Sequence, residues 1–310
     1  MSTPFFSVII PAYNPGAYLE QTIQSVVDQT FTDWEIIVID DGSRADESKQ
    51  IARVAKEIGR QVPVGKIRCS RQENQGVSVT RNRGATQARA QWLAFLDNDD
   101  MWHPAMLSEV HRVLVAHPDT ALCHTNFDYI DEKSAFITHG FGRSISYLDF
   151  LAGNFPLLPC CNILSKSAFH EVGGFDPLYP LAQDLDLYLK MYQRALPVQY
   201  IDEPLALYRS HSQNVSQNYR GSYREIAHIL RKHLIFGLNT QNVEVVRAAR
   251  RGLRRIKSTY GEQGTVASIR SFQKKNLLAA AAHGAYALSL HPPSLLTGIT
   301  NGLKRKVGKK

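Results

Sequence analysis

The amino-acid sequence predicts an α/β protein in which a mostly parallel sheet is flanked by helices and followed by a helical extension. Three observations lead there. Over roughly the first hundred residues, short β-branched runs alternate with amphipathic helical stretches, the pattern of βαβ units. Three of the apolar runs stop in polar turns, Pro11-Ala12-Tyr13-Asn14, Asp40-Asp41-Gly42-Ser43 and Asp97-Asn98-Asp99-Asp100. Open parallel sheets bind ligands at such strand carboxyl ends, so these turns are expected to converge in space. From Tyr219 onward the periodicity is helical only.

The elements follow in order. Phe6–Pro11 reads as the first strand, Ala17 to Asp28 as a helix and Trp34–Asp40 as the second strand. A helix around Asp46–Ile58, a strand around Lys66–Arg71, a helix from Val77 to Ala90 and the apolar strand Trp92–Leu96 continue the alternation. Past a helix at Leu107–His117 the pattern is mixed, with strands at Ala121–Ile130 and Cys160–Leu164. Between them, Ser134 to Pro159 is rich in Gly, Phe and Pro and reads as a loop with one short helix near Tyr147–Leu151. Gly173-Gly174-Phe175-Asp176-Pro177 is a turn, and a helix spans about Gln183 to Arg194. Leu277 to Leu290 is apolar but short and reads as a packed helix rather than a membrane span.

Charge divides the chain where the pattern does. Residues 1–219 carry 18 Lys and Arg against 25 Asp and Glu, and residues 220–310 carry 18 against 3. The expected organisation is therefore an acidic-sited body, 1–219, and a basic helical extension, 220–310. A block of that sign suits an anionic surface, a membrane leaflet or nucleic acid, or is simply a solvated helical face. With an apolar fraction of 44% over 310 residues the chain can bury a core. Met1-Ser2-Thr3-Pro4 runs straight into the first strand, which predicts a protein kept in the cytosol. Cys69, Cys123, Cys160 and Cys161 show no C-x-x-C spacing and read as reduced and mostly buried.

The candidate chemistry centres on Asp97, Asp99 and Asp100. Carboxylates two apart can turn toward one hard cation, which keeps positions open for water and phosphate oxygens. The alternative is an acidic turn, with Asp100 capping the helix that begins near His103-Pro104. Pro11 and Tyr13 end a strand where a flat base edge could rest. Asp40 and Asp41 could accept from a base N–H or ribose hydroxyl, or serve turn chemistry. Arg81 is the cation best placed to meet a phosphate or Asp97.

Ser7-Val8-Ile9-Ile10-Pro11-Ala12-Tyr13-Asn14, Asp40-Asp41-Gly42-Ser43, Arg81-Asn82-x-Gly84 and Phe95-Leu96-Asp97-Asn98-Asp99-Asp100 succeed one another in a familiar order. With Gly173-Gly174-Phe175-Asp176, Gln183-Asp184-x-Asp186-Leu187 and Tyr208-Arg209-x-His211-x-x-Asn214-x-Ser216, they resemble the family 2 glycosyltransferases across residues 5 to 216. The resemblance implies a GT-A type, Rossmann-like mixed sheet and inverting transfer from a nucleotide diphosphate sugar, with Mn²⁺ or Mg²⁺ as cofactor. It places Pro11, Tyr13, Asp40, Asp41, Arg81 and Asp97 around the nucleotide and Asp99 at the metal, with His211 either near the diphosphate or metal or a structural histidine. Asp184 falls at the catalytic base. Gln183 departs from the family, which keeps a glutamate there.

The resemblance further suggests a UDP- or dTDP-sugar as donor and a glycan or lipid-linked acceptor in envelope polysaccharide synthesis. Phe141, Tyr147, Phe150 and Phe155 are candidates to stack on a sugar ring or to pack. In the extension, Arg247, Arg250, Arg251, Arg254 and Arg255 gather on one side of a helix and Lys304-Arg305-Lys306 with Lys309-Lys310 closes the chain. These suggest peripheral contact with the inner leaflet of the cell membrane. Two rival classes are a non-catalytic nucleotide-sugar binding module and a nucleic-acid binder. The second lacks any supporting motif, so no nucleic acid is expected.

Overall fold

In the computed structural model, residues 3–140, 142–155, 158–212, 214 and 218–291 are described. The chain divides into two compact units, Met1–Ile145 with Pro156–Asn214, and Ser146–Phe155 with Val215–Lys310.

The first unit opens with β1 (Phe6–Ala12), α1 (Tyr18–Val27), β2 (Trp34–Asp41), α2 (Ala45–Gly59), β3 (Ile67–Gln72), α3 (Val77–Gln87) and β4 (Trp92–Phe95). It continues through β5 (Met101–Trp102), α4 (Met106–Ala116), β6 (Leu122–Ile130) and β7 (Phe136–His139). The short α5 (Tyr147–Leu151) belongs to the second unit, after which β8 (Asn162–Ser165), α6 (Lys166–Glu171), α7 (Gln183–Gln193) and β9 (Val198–Arg209) complete the first. The strands form one sheet in the order β3-β2-β1-β4-β8-β6-β9-β5, with β7 paired to β6.

β3, β2, β1 and β4 run parallel, β8 is antiparallel to both β4 and β6, and β9 runs parallel to β6, so the sheet is mixed. β1 and β2 are buried along their whole length, which is why their apolar residues run without alternation: helices cover both faces of a parallel sheet. Fully burying side chains such as Phe6, Ile10 and Ile23 contributes about 1.5–3 kcal/mol each. α3 approaches β1 closely because Gly84 leaves room; a Cβ there would lie 2.3 Å from Ile9 Cγ2. Since β2, β1 and β4 are neighbours in register, with Ala12 beside Asp40 and Ile9 beside Phe95, the three polar turns emerge side by side at one edge.

β9 was not among the expected strands. Asp202-Glu203-Pro204 interrupts its apolar pattern, and its pairing with β6 shifts register around Asn126 to accommodate the interruption. The alternative reading of Asp100 as a helix cap does not hold: α4 starts at Met106 with no side-chain cap, and Asp100 is used elsewhere.

The second unit holds α5, α8 (Tyr219–Asn239), α9 (Val243–Gln273) and α10 (Leu277–Leu290). Each of the three long helices starts at an asparagine, Asn218, Asn242 or Asn276, whose side chain accepts from the backbone N–H three residues on. α5 rests on α9 at Gly252, where a Cβ would sit 2.0 Å from Leu151 O. Tyr147 Oη meets His233 Nδ1 at 2.8 Å, Phe150 is buried, and Phe155 packs on Phe150 with ring centroids 5.7 Å apart. These three aromatics therefore pack; Phe141 lies outside the described residues. α10 is packed on one side only, with Ala280 and Ala287 buried and Leu278 87% exposed. Among the described residues, no helix is long and apolar enough to cross a membrane. Lys304 to Lys310 and Ser216 lie outside the described residues.

Candidate active site

The site is built on the turn after β4. Asp97 and Asp99, both partly buried, face different partners. Asp97 Oδ1 accepts from the Arg81 guanidinium, which α3 delivers from below and which is almost wholly buried. Asp99 Oδ2 lies 2.8 Å from His211 Nε2, just beyond the end of β9, and the imidazole leans on the ring of Tyr18 with centroids 5.3 Å apart. Burial and the neighbouring Asp97 push the Asp99 carboxyl up, and His211 partly offsets them.

The chain beneath this turn is held by Asp100 and by Arg209, to which the sequence had assigned no bracing role. Asp100 is buried, and its Oδ1 accepts from Arg209 N at 2.9 Å. Burial holds its carboxyl well above the usual range. Arg209 is itself buried; its Nε donates to Asp99 O at 2.8 Å, Nη1 to Asp131 O at 3.1 Å and Nη2 to Gln21 Oε1 at 2.9 Å. It stacks on Tyr18 with the guanidinium carbon 4.7 Å from the ring centre. The sequence signal was present in Tyr208-Arg209-x-His211, but only the fold shows Arg209 bracing the acidic turn.

Asp184 stands at the start of α7, partly exposed. Burial raises its carboxyl to about 6, while the Leu185 N–H and Arg81 act in the opposite direction. Arg81 Nε and Nη1, Gln183 Oε1 and Tyr188 Oη are buried and make no hydrogen bond among the described residues. Both Arg81 and Tyr188 interact electrostatically with Asp184, so this wall of the site offers polar groups to a ligand or water. Asn82, next to Arg81, exchanges hydrogen bonds with Phe175 O and Phe175 N at 2.8 and 3.0 Å. The Arg81-Asn82-x-Gly84 motif thus joins the acidic turn, the glycine turn and β1.

At the other two strand ends, the carboxylates are engaged in turns. Asp40 accepts from Ser43 N at 2.8 Å and Ser48 Oγ at 2.5 Å. Asp41 accepts from Gln72 Nε2 at 2.7 Å and from Gln75 N and Gly76 N at 2.9 Å each. Both are buried, and their partners Arg71 and Gln72 line an open cleft of about 550 Å³ with Gly42, Glu73 and Asn74. Gly42 sits at φ +76°, and a Cβ on it would lie 2.6 Å from Asn74 N. Pro11 is buried inside β1, whereas Tyr13 is 54% exposed at the strand's end. Asn14 N donates to Ser43 Oγ at 3.0 Å, tying the first two turns together.

Asp99 and His211 offer a carboxylate and an imidazole on one spot, a donor set that suits Mn²⁺ better than Mg²⁺. No cluster of three metal-binding side chains occurs among the described residues, so remaining positions on an ion would go to a ligand's oxygens and water. All three cysteines near the core are free and buried, and Cys69 is free and exposed.

A mixed sheet of this topology, with a D-x-D turn at the end of its fourth parallel strand, is the GT-A class of glycosyltransferase fold. The chain belongs to glycosyl transferase family 2, whose profile matches residues 7–173. A Bacillus subtilis protein named for a glycosyltransferase of teichuronic acid biosynthesis, TuaG, is 27% identical over 69% of this chain and 82% of its own length. Three rickettsial glycosyltransferases, 29–30% identical, are longer, and the chain spans about a third of their length. Among solved structures, a mannosyltransferase of Pyrobaculum calidifontis in complex with GDP-Man and Mn²⁺ superposes with a TM-score of 0.63 at 14% identity, covering all of this chain and 89% of that one. S. aureus TarS 1-349 in complex with UDP-GlcNAc gives a TM-score of 0.57 at 18% identity, with 91% and 90% covered.

Proposed function

We propose that the chain is an inverting glycosyltransferase that moves a sugar from a UDP- or dTDP-sugar to a hydroxyl of a glycan or lipid-linked glycan, in the synthesis of an envelope polysaccharide. The single observation that carries this reading is the gathering of Asp184, Arg81, Asp97, Asp99 and His211 at the carboxyl edge of the sheet. The TarS and mannosyltransferase complexes with nucleotide sugars and the naming of TuaG support it.

In this reading the open cleft at Gly42 and Arg71–Asn74 receives the base, with Asp40 and Asp41 holding its walls through Arg71 and Gln72, and the exposed Tyr13 ring is available to it. Asp97, fixed by Arg81, meets the ribose. Mn²⁺ or Mg²⁺ held by Asp99 and His211 would neutralise charge on the diphosphate. A sugar hydroxyl is a weak nucleophile, so Asp184 takes its proton as the new bond forms. With a carboxyl near 6, Asp184 is ionised at neutral pH yet more basic than an ordinary aspartate. Attack from the face opposite the leaving diphosphate inverts the anomeric carbon.

The test is a thermal shift of the purified protein with UDP, dTDP and GDP, each with and without Mn²⁺, repeated with Asp99→Asn. A ligand that binds only the native state raises Tm by mass action. Metal-dependent stabilisation by UDP or dTDP that disappears in Asp99→Asn is the expected result. Stabilisation by GDP alone would overturn the donor assignment, and no shift in folded protein would overturn the transferase reading.

A further inference from the structure

Helix α10 is fourteen residues long and contains no Asp, Glu, Lys or Arg. Despite that composition only Ala280 and Ala287 are buried. Leu278, Ala281, Ala285 and Leu288 recur at helical spacing and are all exposed, Leu278 at 87% and Leu288 at 48%. Phe272 near the end of α9 and Leu277 at the start of α10 are also exposed, at 65% and 64%, on either side of exposed Lys274 and Lys275. An uncharged, solvent-facing helix with bulky apolar residues exposed at its start calls for a partner.

What that partner is follows from α9. Arg250, Arg254, Gly261, Gly264 and Ser268 fall on one stripe of this helix, at steps of three, four and seven residues. α10 packs on the far half of the stripe: a Cβ on Gly264 would touch Tyr286 and Ala287 at 3.2 and 3.3 Å, and Ser268 Oγ donates to Ala280 O at 2.7 Å. Arg250 and Arg254 occupy the near half and are exposed, as are Arg247 and Arg251 beside them. The apolar helix and the arginines therefore share one side of α9.

We infer that this side is a docking surface for an anionic phospholipid bilayer, with α10 lying in the plane of the headgroups. Residues 220–310 carry 18 basic against 3 acidic residues, which complements an anionic leaflet and disfavours pairing with a second copy of the same basic face. At about 1.5 Å per residue α10 spans roughly 21 Å, short of the roughly 30 Å hydrocarbon core, so it lies on the bilayer rather than through it. The inference does not depend on the transferase reading.

The test uses the full chain and vesicles of phosphatidylcholine with or without about 30% phosphatidylglycerol, read by co-sedimentation. Wild type is expected to pellet with the anionic vesicles and to be released by salt. Reversing Arg250 and Arg254 to Glu should lower the partition coefficient about fivefold or more per residue. Leu278→Asp with Leu288→Asp should lower it roughly tenfold, with an unchanged far-UV circular dichroism spectrum and a cooperative thermal melt as the check on folding. In a Cys69→Ser background, NBD attached at Leu278→Cys should shift its emission to the blue only when anionic vesicles are added. A blue shift without vesicles overturns the inference. If it grows with protein concentration, a second copy covers α10; if it is independent of concentration, the chain's own residues 292–310 do. Equal pelleting with neutral and anionic vesicles, or no pelleting of folded protein, overturns it as well.

Discussion

Replacing Asp184 with Asn should abolish transfer and at the same time make the protein more stable at neutral pH. The folded carboxyl titrates at about 6 against 3.8 for an ordinary aspartate, a gap worth roughly 3 kcal/mol at about 1.36 kcal/mol per pH unit. Because the side chain is partly exposed, solvent screening reduces the usable figure to about 2 kcal/mol. The folded value lies above the unfolded one, so the folded state holds the proton more tightly. The stability this provides is complete below the unfolded value and is lost as pH climbs through about 6. At about pH 7.5 wild type therefore carries the full cost of an ionised carboxylate that Asn does not, and Asp184→Asn should melt roughly 4 °C higher. Near pH 4 wild type is itself protonated and the difference should close. Urea denaturation of both proteins at the two pH values checks the stability, and initial rates measured against pH check the chemistry. The wild-type rate should rise tenfold per pH unit below about 6 and level off above it. An Asp184→Asn protein less stable than wild type at about pH 7.5, or a rate indifferent to pH between about 5 and 8, would refute the assignment of this carboxylate as a desolvated base.

Three further substitutions, one of them a control, probe the frame of the site. Gly42→Ala forces a Cβ to within 2.6 Å of Asn74 N at a positive φ and should cost about 1–3 kcal/mol, whereas Gly16→Ala, also at positive φ but in open space, should cost about 1 kcal/mol; urea midpoints compare them. Arg209→Lys cannot reproduce the fan of bonds to Asp99 O, Asp131 O and Gln21, and should cost about 3 kcal/mol and weaken the Mn²⁺ dependence of nucleotide binding. A Tm within about 1 °C of wild type for that protein would show that the acidic turn stands without its brace.

The parallel half of the sheet was legible because each strand is buried on both faces and each helix amphipathic, so local pattern and tertiary placement agree. Adjacency of the three polar turns followed from topology alone. What escaped was long-range. β9 hides behind Asp202-Glu203-Pro204 and is a strand only because β6 offers a bulged partner. Arg209 looks like any polar residue near a strand end until the fold brings it under Asp99. Asp100 resembled a helix cap because short-range chemistry favours that reading, yet a partner 109 residues away claims its carboxylate. The solvent-facing side of α10 was equally hidden, since an uncharged run of that length ordinarily marks a packed helix.

The contact between Asp99 and His211 spans 112 residues, and that between Asp100 and Arg209 spans 109. All of the parallel strands through β4 precede both partners in the chain. On a ribosome, the acidic turn would emerge long before the imidazole and guanidinium that hold it exist. Such contacts are also the slowest to form in refolding, because loop closure must come first. The acidic turn is therefore completed late, and protection of the Arg209 amide, whose hydrogen bond ends on Asp100, reports in refolding when that closure has formed.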